Sequence, residues 1–331
     1  MLDTIISDHR AWMGENIQAR DWCLTVSDEA NNELTDLVKA LQRAPLPTLL
    51  LTPEDYQLPI LQNIVQQARF ILDEGCGFTV LKGLNLKDHD VNDMISFFWI
   101  LGQLIGRPVA QKFDGTMIYD VTDSGEEFGY GVRGSHTRVE LNFHIDNAFG
   151  TTVPQYVGLL CWQTAQSGGV SRFCSLYSLH NRLLTDYPEL LEVLYQPIIY
   201  DRQAEHHPQA TNTTLAPFFQ WDGKRLLCRA NISLIRKGHN VAGQKISSAL
   251  EKALTVVEEL LNDPAVWVET QLSPGDLHYL NNINIAHYRS GFVDHKGSDQ
   301  KRHMYRTWHR DTGRQSYDGY PLQLSFLHKT V

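Results

Sequence analysis

A chain of 331 residues is long enough to bury most of its apolar surface in one domain without disulfide or metal staples. Its formal net charge of -9, with no basic tail, disfavours nonspecific binding to nucleic acid or anionic lipid. The five cysteines (Cys23, Cys76, Cys161, Cys174 and Cys228) are widely spaced and form no CxxC. That excludes a disulfide framework or zinc knuckle and points to reduced thiols.

In chain order, the opening MLDTIISDHR lacks the basic-then-apolar plan of a signal peptide, and no later apolar run approaches the roughly 20 residues that cross a bilayer. A cytoplasmic location is therefore expected. Residues 27–44 carry Leu34, Leu37, Val38 and Leu41 at helical spacing, with Ser27 or Asp28 as N-cap. Thr52-Pro53-Glu54-Asp55 reads as the start of a second helix, whose apolar face would be Ile60, Ile64, Ala68 and Ile71, stopped by Gly75 and Gly77. Residues 78–81 read as a strand and 90–104 as a helix ended by Gly106. From Met117 on, short β-like runs follow at 117–121, 139–145, 156–162 and 172–176, then one helix at 178–195. Residues 201–214 are polar and read as an exposed loop, and the stretch 201–217 suits an active-site lid. Trp221-Asp222-Gly223-Lys224 is a hairpin turn, 244–262 a helix, and the tail from Trp267 strands and turns. The expected class is α+β. A jelly roll with flanking helices would fill 76–331, behind a mostly helical extension at 1–75, as a single domain over 1–331.

The sharpest local feature is Phe143-His144-Ile145-Asp146. On a strand, residues i and i+2 point the same way, so the imidazole and carboxylate can converge on one metal. A lone His-x-Asp is more often a surface pair, and a second match, His309-Arg310-Asp311, is read as chance. What distinguishes the first is its company: the Ser273-Pro274-Gly275-Asp276 turn, then His287, then Arg302 and Arg306. Two histidines and one carboxylate with open positions opposite suit non-haem Fe(II), a chelating cosubstrate and O2. A dicarboxylic cosubstrate needs a fixed cation at its far end, and guanidinium offers two parallel donors. An alternating strand would put Arg302, Met304 and Arg306 on one face. Arg289, two residues past His287, looks too near it to reach a far carboxylate. His206-His207 reads as an exposed pair, and Tyr177, Tyr187 and Tyr195 as helix packing.

Taken in order, these segments, together with 139–149, 154–160, Ser167-Gly168-Gly169-Val170-Ser171 and Asn281-Asn282, resemble the taurine dioxygenase/TfdA-like superfamily, in its clavaminate-synthase-like branch. The resemblance covers roughly 75–308. It implies a double-stranded β-helix with Fe(II) on His144, Asp146 and His287, and with 2-oxoglutarate and O2 as cosubstrates. It implies that Arg302 holds the distal carboxylate of 2-oxoglutarate, that Ser171 assists it, and that Arg306 lies near the cosubstrate or substrate. Halogenating relatives lack the carboxylate ligand, so Asp146 implies oxygenation.

The expected reaction is hydroxylation of an unactivated C–H bond of a small metabolite, in specialised metabolism, without nucleic-acid or membrane partners. Desaturation or epoxidation shares the same early steps. A non-redox metal hydrolase or a metal-binding protein on the same fold is the rival of another class, but it leaves Arg302 and Arg306 unexplained. Gln111, Asn142, Asn147, Asn231 and Arg306 are the candidate substrate contacts. Relatives acting on free amino acids tend to carry an acidic residue where Asn231 stands, and commonly Glu where Asp146 stands. A neutral amide or cyclic dipeptide is therefore expected.

Overall fold

Leu277–Asn281 is buried at all five positions, as a strand covered on both faces must be. It sits inside the larger of the two main sheets in a computed structural model that describes residues 1–86, 88–127, 133–203, 205–206, 209–297 and 300–317. That sheet runs Cys23–Thr25, Phe78–Lys82, Leu277–Asn281, Tyr156–Gln163, His303–Arg310 and Arg107–Val109, and Tyr119–Thr122 also pairs with His303–Arg310. The smaller sheet runs Trp267–Thr270, Ser171–Ser175, Ile285–Arg289 and Leu141–His144, with every pairing antiparallel. The inner faces meet where Phe78 of the larger sheet stacks on Phe173 of the smaller, ring centroids 4.5 Å apart. This is the expected jelly-roll core.

Helices cover the outer side of the larger sheet. Tyr279, which points away from the inner face, packs against Phe98 of helix Val91–Ile105. That helix starts at Asp90, whose carboxylate accepts from the N–H groups of Asn92 and Asp93. Helix Asp28–Arg43 starts at Ser27 and buries Leu34, Leu37, Val38 and Leu41, as its spacing predicts.

Several elements differ from expectation. Thr52–Asp55 does not begin the second helix. Residues Pro53–Asp55 form an isolated 3-10 turn, and the helix is Pro59–Asp73. Its buried face is Leu61, Ile64, Val65, Ala68 and Leu72, so Ile60 is exposed and Ile71 only half-buried. The helix expected at 178–195 is two helices, Leu176–Asp186 and Pro188–Leu194, because Pro188 has no N–H to donate and starts a new helix. The helix expected at 244–262 is Ser248–Asn262, capped by Ser247, and a further helix, Ile232–Val241, had been overlooked. Residues 201–214 are not all loop. Ile198–Asp201 pairs with Thr213–Ala216 as two antiparallel strands. The N-terminal extension adds the edge strand Cys23–Thr25, parallel to Phe78–Lys82. Among the described residues no helix is long and apolar enough to cross a membrane.

Candidate metal and cosubstrate site

His144 ends strand Leu141–His144 and lies directly opposite His287 of the adjacent antiparallel strand. Directly opposed residues share a face, so the two imidazoles meet with ring centroids 4.3 Å apart. Asp146 is not on the strand, contrary to the alternation argument. It sits in the turn just beyond it, and Asn147 takes the left-handed conformation (φ 55°) that continues the turn. What orients Asp146 is Asn282, whose amide oxygen accepts from the Asp146 N–H at 2.8 Å while its NH2 donates to the Asp146 carbonyl at 2.9 Å. The Asp146 Oδ1 then lies 3.8 Å from His144 Nε2 and 3.6 Å from His287 Nε2. One donor atom from each of the three residues falls within 4.8 Å of the others, and this is the single such group found among the described residues. The second histidine-aspartate match is unrelated to a metal. His309 is buried against Gly106 and Thr307, and Asp311 pairs with Arg69.

The two oxygens of Asp146 are used differently. Oδ2 is held by the Arg306 guanidinium at 3.0 Å and accepts from the Trp308 indole N–H at 2.8 Å. Burial alone would raise the Asp146 pKa, but Arg306 and the two imidazoles outweigh it and hold the carboxyl well below its usual range. Burial and then the neighbouring His287 push His144 down to about 3, so its ring is neutral. Its Nδ1 faces the Asn142 carbonyl at 2.8 Å, which leaves Nε2 as the free lone pair toward Asp146. Two imidazoles and an ionised carboxylate are the donor set that suits a divalent iron.

These groups lie in a cavity of about 660 Å³ that also takes in Ser171, Arg302, Arg289 and His278. Ser171 opens strand Ser171–Ser175, opposite Arg289 of the neighbouring strand. Arg302 is 5% exposed, and its Nη1 is buried with no partner. Burial pushes its pKa down to about 10, which leaves it charged at neutral pH. Arg289 donates to the Thr137 and Val139 carbonyls, yet its Nε and Nη1 are buried and unpartnered. Burial and then Arg302 press it down to about 9. Two buried cations, side by side, with spare donors, form a place for an anion. Arg289, two residues past His287, thus lines the same cavity as Arg302.

The other expected contacts divide. Asn142 and Asn147 line the cavity, and the Asn147 amide has no partner on either atom. Asn231 also lines it, but its side-chain oxygen is spent capping helix Ile232–Val241 at the Leu234 N–H. Gln111 does not face substrate. It is fully buried, donates to the Met117 and Arg306 carbonyls, and accepts from the Arg306 Nε. Arg306, expected at the cosubstrate or substrate, is turned onto Asp146. Arg302 and Arg306 both line the cavity, as an alternating strand would place them, although Arg302 itself precedes strand His303–Arg310. Sequence reading missed Trp308, although its i+2 spacing from Arg306 would have put both on one face. His206 is half-buried, and His207 lies outside the described residues.

The profile of the family described as taurine catabolism dioxygenase TauD, TfdA family matches residues 42–308. The chain belongs to the TauD/TfdA family. As a member it is an iron- and 2-oxoglutarate-dependent oxygenase, with O2 as the second cosubstrate. Among curated relatives, FR-33289 synthase of Streptomyces rubellomurinus is 24% identical over 97% of this chain and 94% of its own length. The taurine hydroxylase-like protein SAT17 of Stachybotrys chartarum is 29% identical over 91% of this chain and 78% of its own. Among solved structures, asparagine oxygenase with Fe(II), 3-hydroxyasparagine and succinate superposes with a TM-score of 0.69 at 16% identity, covering 88% of this chain and 94% of that one. The oxygenase OrfP with iron and α-ketoglutaric acid gives 0.64 at 16% identity, over the same shares. These superpositions confirm the jelly-roll fold of this TauD/TfdA member.

Proposed function

We propose that this oxygenase hydroxylates a C–H bond of a small, neutral, amide-bearing metabolite of specialised metabolism, with iron on His144, Asp146 and His287. The observation that carries the reading is one cavity with the two-histidine, one-carboxylate group facing it and an uncompensated arginine pair, Arg302 and Arg289, lining it. A metal hydrolase would need the first feature and leave the second unpaid for in buried charge. With Fe(II), 2-oxoglutarate and O2 bound, oxidative decarboxylation to succinate and CO2 supplies the oxidant.

The protein's own residues supply position and exclusion. Arg302 receives the distal carboxylate in a two-pronged contact, with the Ser171 hydroxyl beside it. Trp308 and Arg306 hold Asp146 Oδ2, so that Oδ1 alone is presented between the histidines. The unpartnered amide of Asn147 offers one donor and one acceptor to a substrate amide. A free amino acid finds less here. Of the cavity's carboxylates, Asp146 is held by Arg306 and Glu258 by Arg236, while Glu140 shares a hydrogen bond with the Tyr288 hydroxyl. The names of the relatives, an FR-33289 synthase and a hydroxylase-like protein, support a specialised metabolite. The hairpin between Ile198–Asp201 and Thr213–Ala216 is placed to shield the reaction when substrate arrives, since Gln203 lines the cavity.

Two measurements test this. Titrating 2-oxoglutarate into anaerobic Fe(II) protein should develop a weak visible charge-transfer band, and its absence would sink the oxygenase assignment of the cavity. A panel assay of succinate formation should favour acylated or cyclised amino acids over free ones. Preferential turnover of a free α-amino acid would reverse the substrate reading.

A further inference from the structure

His278 belongs to none of the motifs, yet like Asn147 it lines the cavity with no partner on either polar atom. It lies on strand Leu277–Asn281, between Val80 and Leu159 of the flanking strands. Tyr279 points outward to the helices, so His278, on the opposite face, points into the space between the sheets. There its ring meets Phe173 edge-on at 5.3 Å, and Phe173 is the residue directly opposite His287. His278 is 2% exposed, lines the cavity, and has no hydrogen-bond partner on either nitrogen. It lies within electrostatic reach of His287, Asp146 and Arg302, which line the same cavity.

A histidine used only for packing is a poor choice at such a position. A leucine fills the same space without burying a donor and an acceptor unpaired, and unpaired buried polar groups are costly and rare. Burial, then His287, push the ring down to about 3, so it is neutral and always has one N–H to give. A five-carbon dicarboxylate anchored at the metal ligands and at Arg302 would fill the cavity that this ring lines.

We infer that His278 donates a hydrogen bond to a carboxylate oxygen of bound 2-oxoglutarate, as a third protein donor beside Arg302 and Ser171. This rests on the cosubstrate placement proposed above. Such a bond to a charged acceptor in a dry site is worth roughly ten-fold or more in affinity.

The experiment compares wild type, His278→Leu, His278→Gln, His278→Asn and Arg302→Leu as full chains. 2-Oxoglutarate dissociation constants are measured anaerobically on the Mn(II)-loaded protein by tryptophan fluorescence, alongside Mn(II) affinity and the melting temperature of the metal-free protein. The expected result for His278→Leu is a 2-oxoglutarate affinity at least about ten-fold weaker, with unchanged Mn(II) affinity and an equal or higher melting temperature. Glutamine or asparagine, whose amide nitrogens mimic Nε2 and Nδ1, should restore part of the loss. Unchanged cosubstrate affinity in His278→Leu while Arg302→Leu binds weakly overturns the inference alone. A parallel loss of Mn(II) affinity in His278→Leu also overturns it, because the ring would then act through the metal. Normal binding in Arg302→Leu instead overturns the cosubstrate placement itself.

Discussion

Asp146 carries two duties on one carboxylate, and its neighbours keep them apart. Trp308 and Arg306 both hold Oδ2, so removing one leaves the oxygen half-anchored and free to rotate toward the histidines. Trp308→Phe keeps the ring and deletes the donor. It should weaken Fe(II) affinity about ten-fold with the fold intact, the usual cost of losing a partner behind a metal ligand. A metal-competition titration checks this, and unchanged affinity would assign the role to Arg306 alone. Arg302→Lys keeps the charge and loses the fork, so the 2-oxoglutarate KM should rise about ten-fold or more while Fe(II) affinity stays. If KM does not move, Arg289 carries the anion. The triad was legible in sequence from the His-x-Asp pair and its downstream companions His287 and Arg302, although Asp146 sits in the turn past the strand rather than on it. The partners of Arg306 and Gln111 were not, because Gln111 holds Arg306 and Arg306 holds Asp146, each from far along the chain, and nothing local marks such a contact. Asn231 lines the cavity, but its side-chain oxygen is committed to the start of helix Ile232–Val241.

At the level of elements, the Gly168-Gly169 pair shows how a turn shapes a binding group. Both residues adopt positive φ, 77° and 70°. A Cβ on Gly168 would strike the Gly291 carbonyl oxygen, and one on Gly169 would come within 3.0 Å of the Arg302 Nε. The glycines thus let the Ser167–Gly168 strand close on Phe292–Val293 and let Arg302 lie flat beside it. Gly169→Ala should destabilise the chain by about 1 kcal/mol through backbone strain. It should also raise the 2-oxoglutarate dissociation constant several-fold by displacing Arg302. Chemical denaturation and anaerobic cosubstrate titration read the two effects separately, and a stability loss without a binding loss would show that Arg302 simply moves aside. The motif was visible as Ser-Gly-Gly-Val-Ser, but its purpose needs the partner strand. Elements with strong local punctuation were legible: Ser27, Asp90, Gly75-Gly77 and Asp222-Gly223 all stand at real boundaries. Elements set by tertiary contact were not. Cys23–Thr25 is three residues long with no alternation, and it is a strand only because Phe78–Lys82 offers it an edge.

Across the whole molecule, two histidines far from the metal group make the fold depend on pH. His180 is fully buried between Tyr195 and Phe219, with Nε2 at 2.8 Å from the Tyr195 hydroxyl. His309 is fully buried in the central strand between Gly106 and Thr307. Burial pushes each down to about 4 from an ordinary value near 6.5. Between those values the unfolded chain binds a proton at each position and the folded chain does not, so stability rises with pH. The contribution is complete above about 6.5 and is lost as pH falls toward 4. Each shift corresponds to up to about 3 kcal/mol, a large part of a typical stability of roughly 5 to 15 kcal/mol. The metal-free protein, kept in chelator so that loss of the metal does not enter, should therefore lose stability steeply below neutrality, with His144 and His278 adding to the effect because burial pushes both down to about 3. His180→Leu removes one of these groups and leaves the others in place. Urea midpoints measured from pH 7 down to pH 5 should fall less in this variant, by a difference in slope of about one proton near pH 5. Identical slopes in the two proteins would mean that His180 is charged in the folded state, with the Tyr195 hydroxyl as its acceptor, and that the acid sensitivity arises elsewhere.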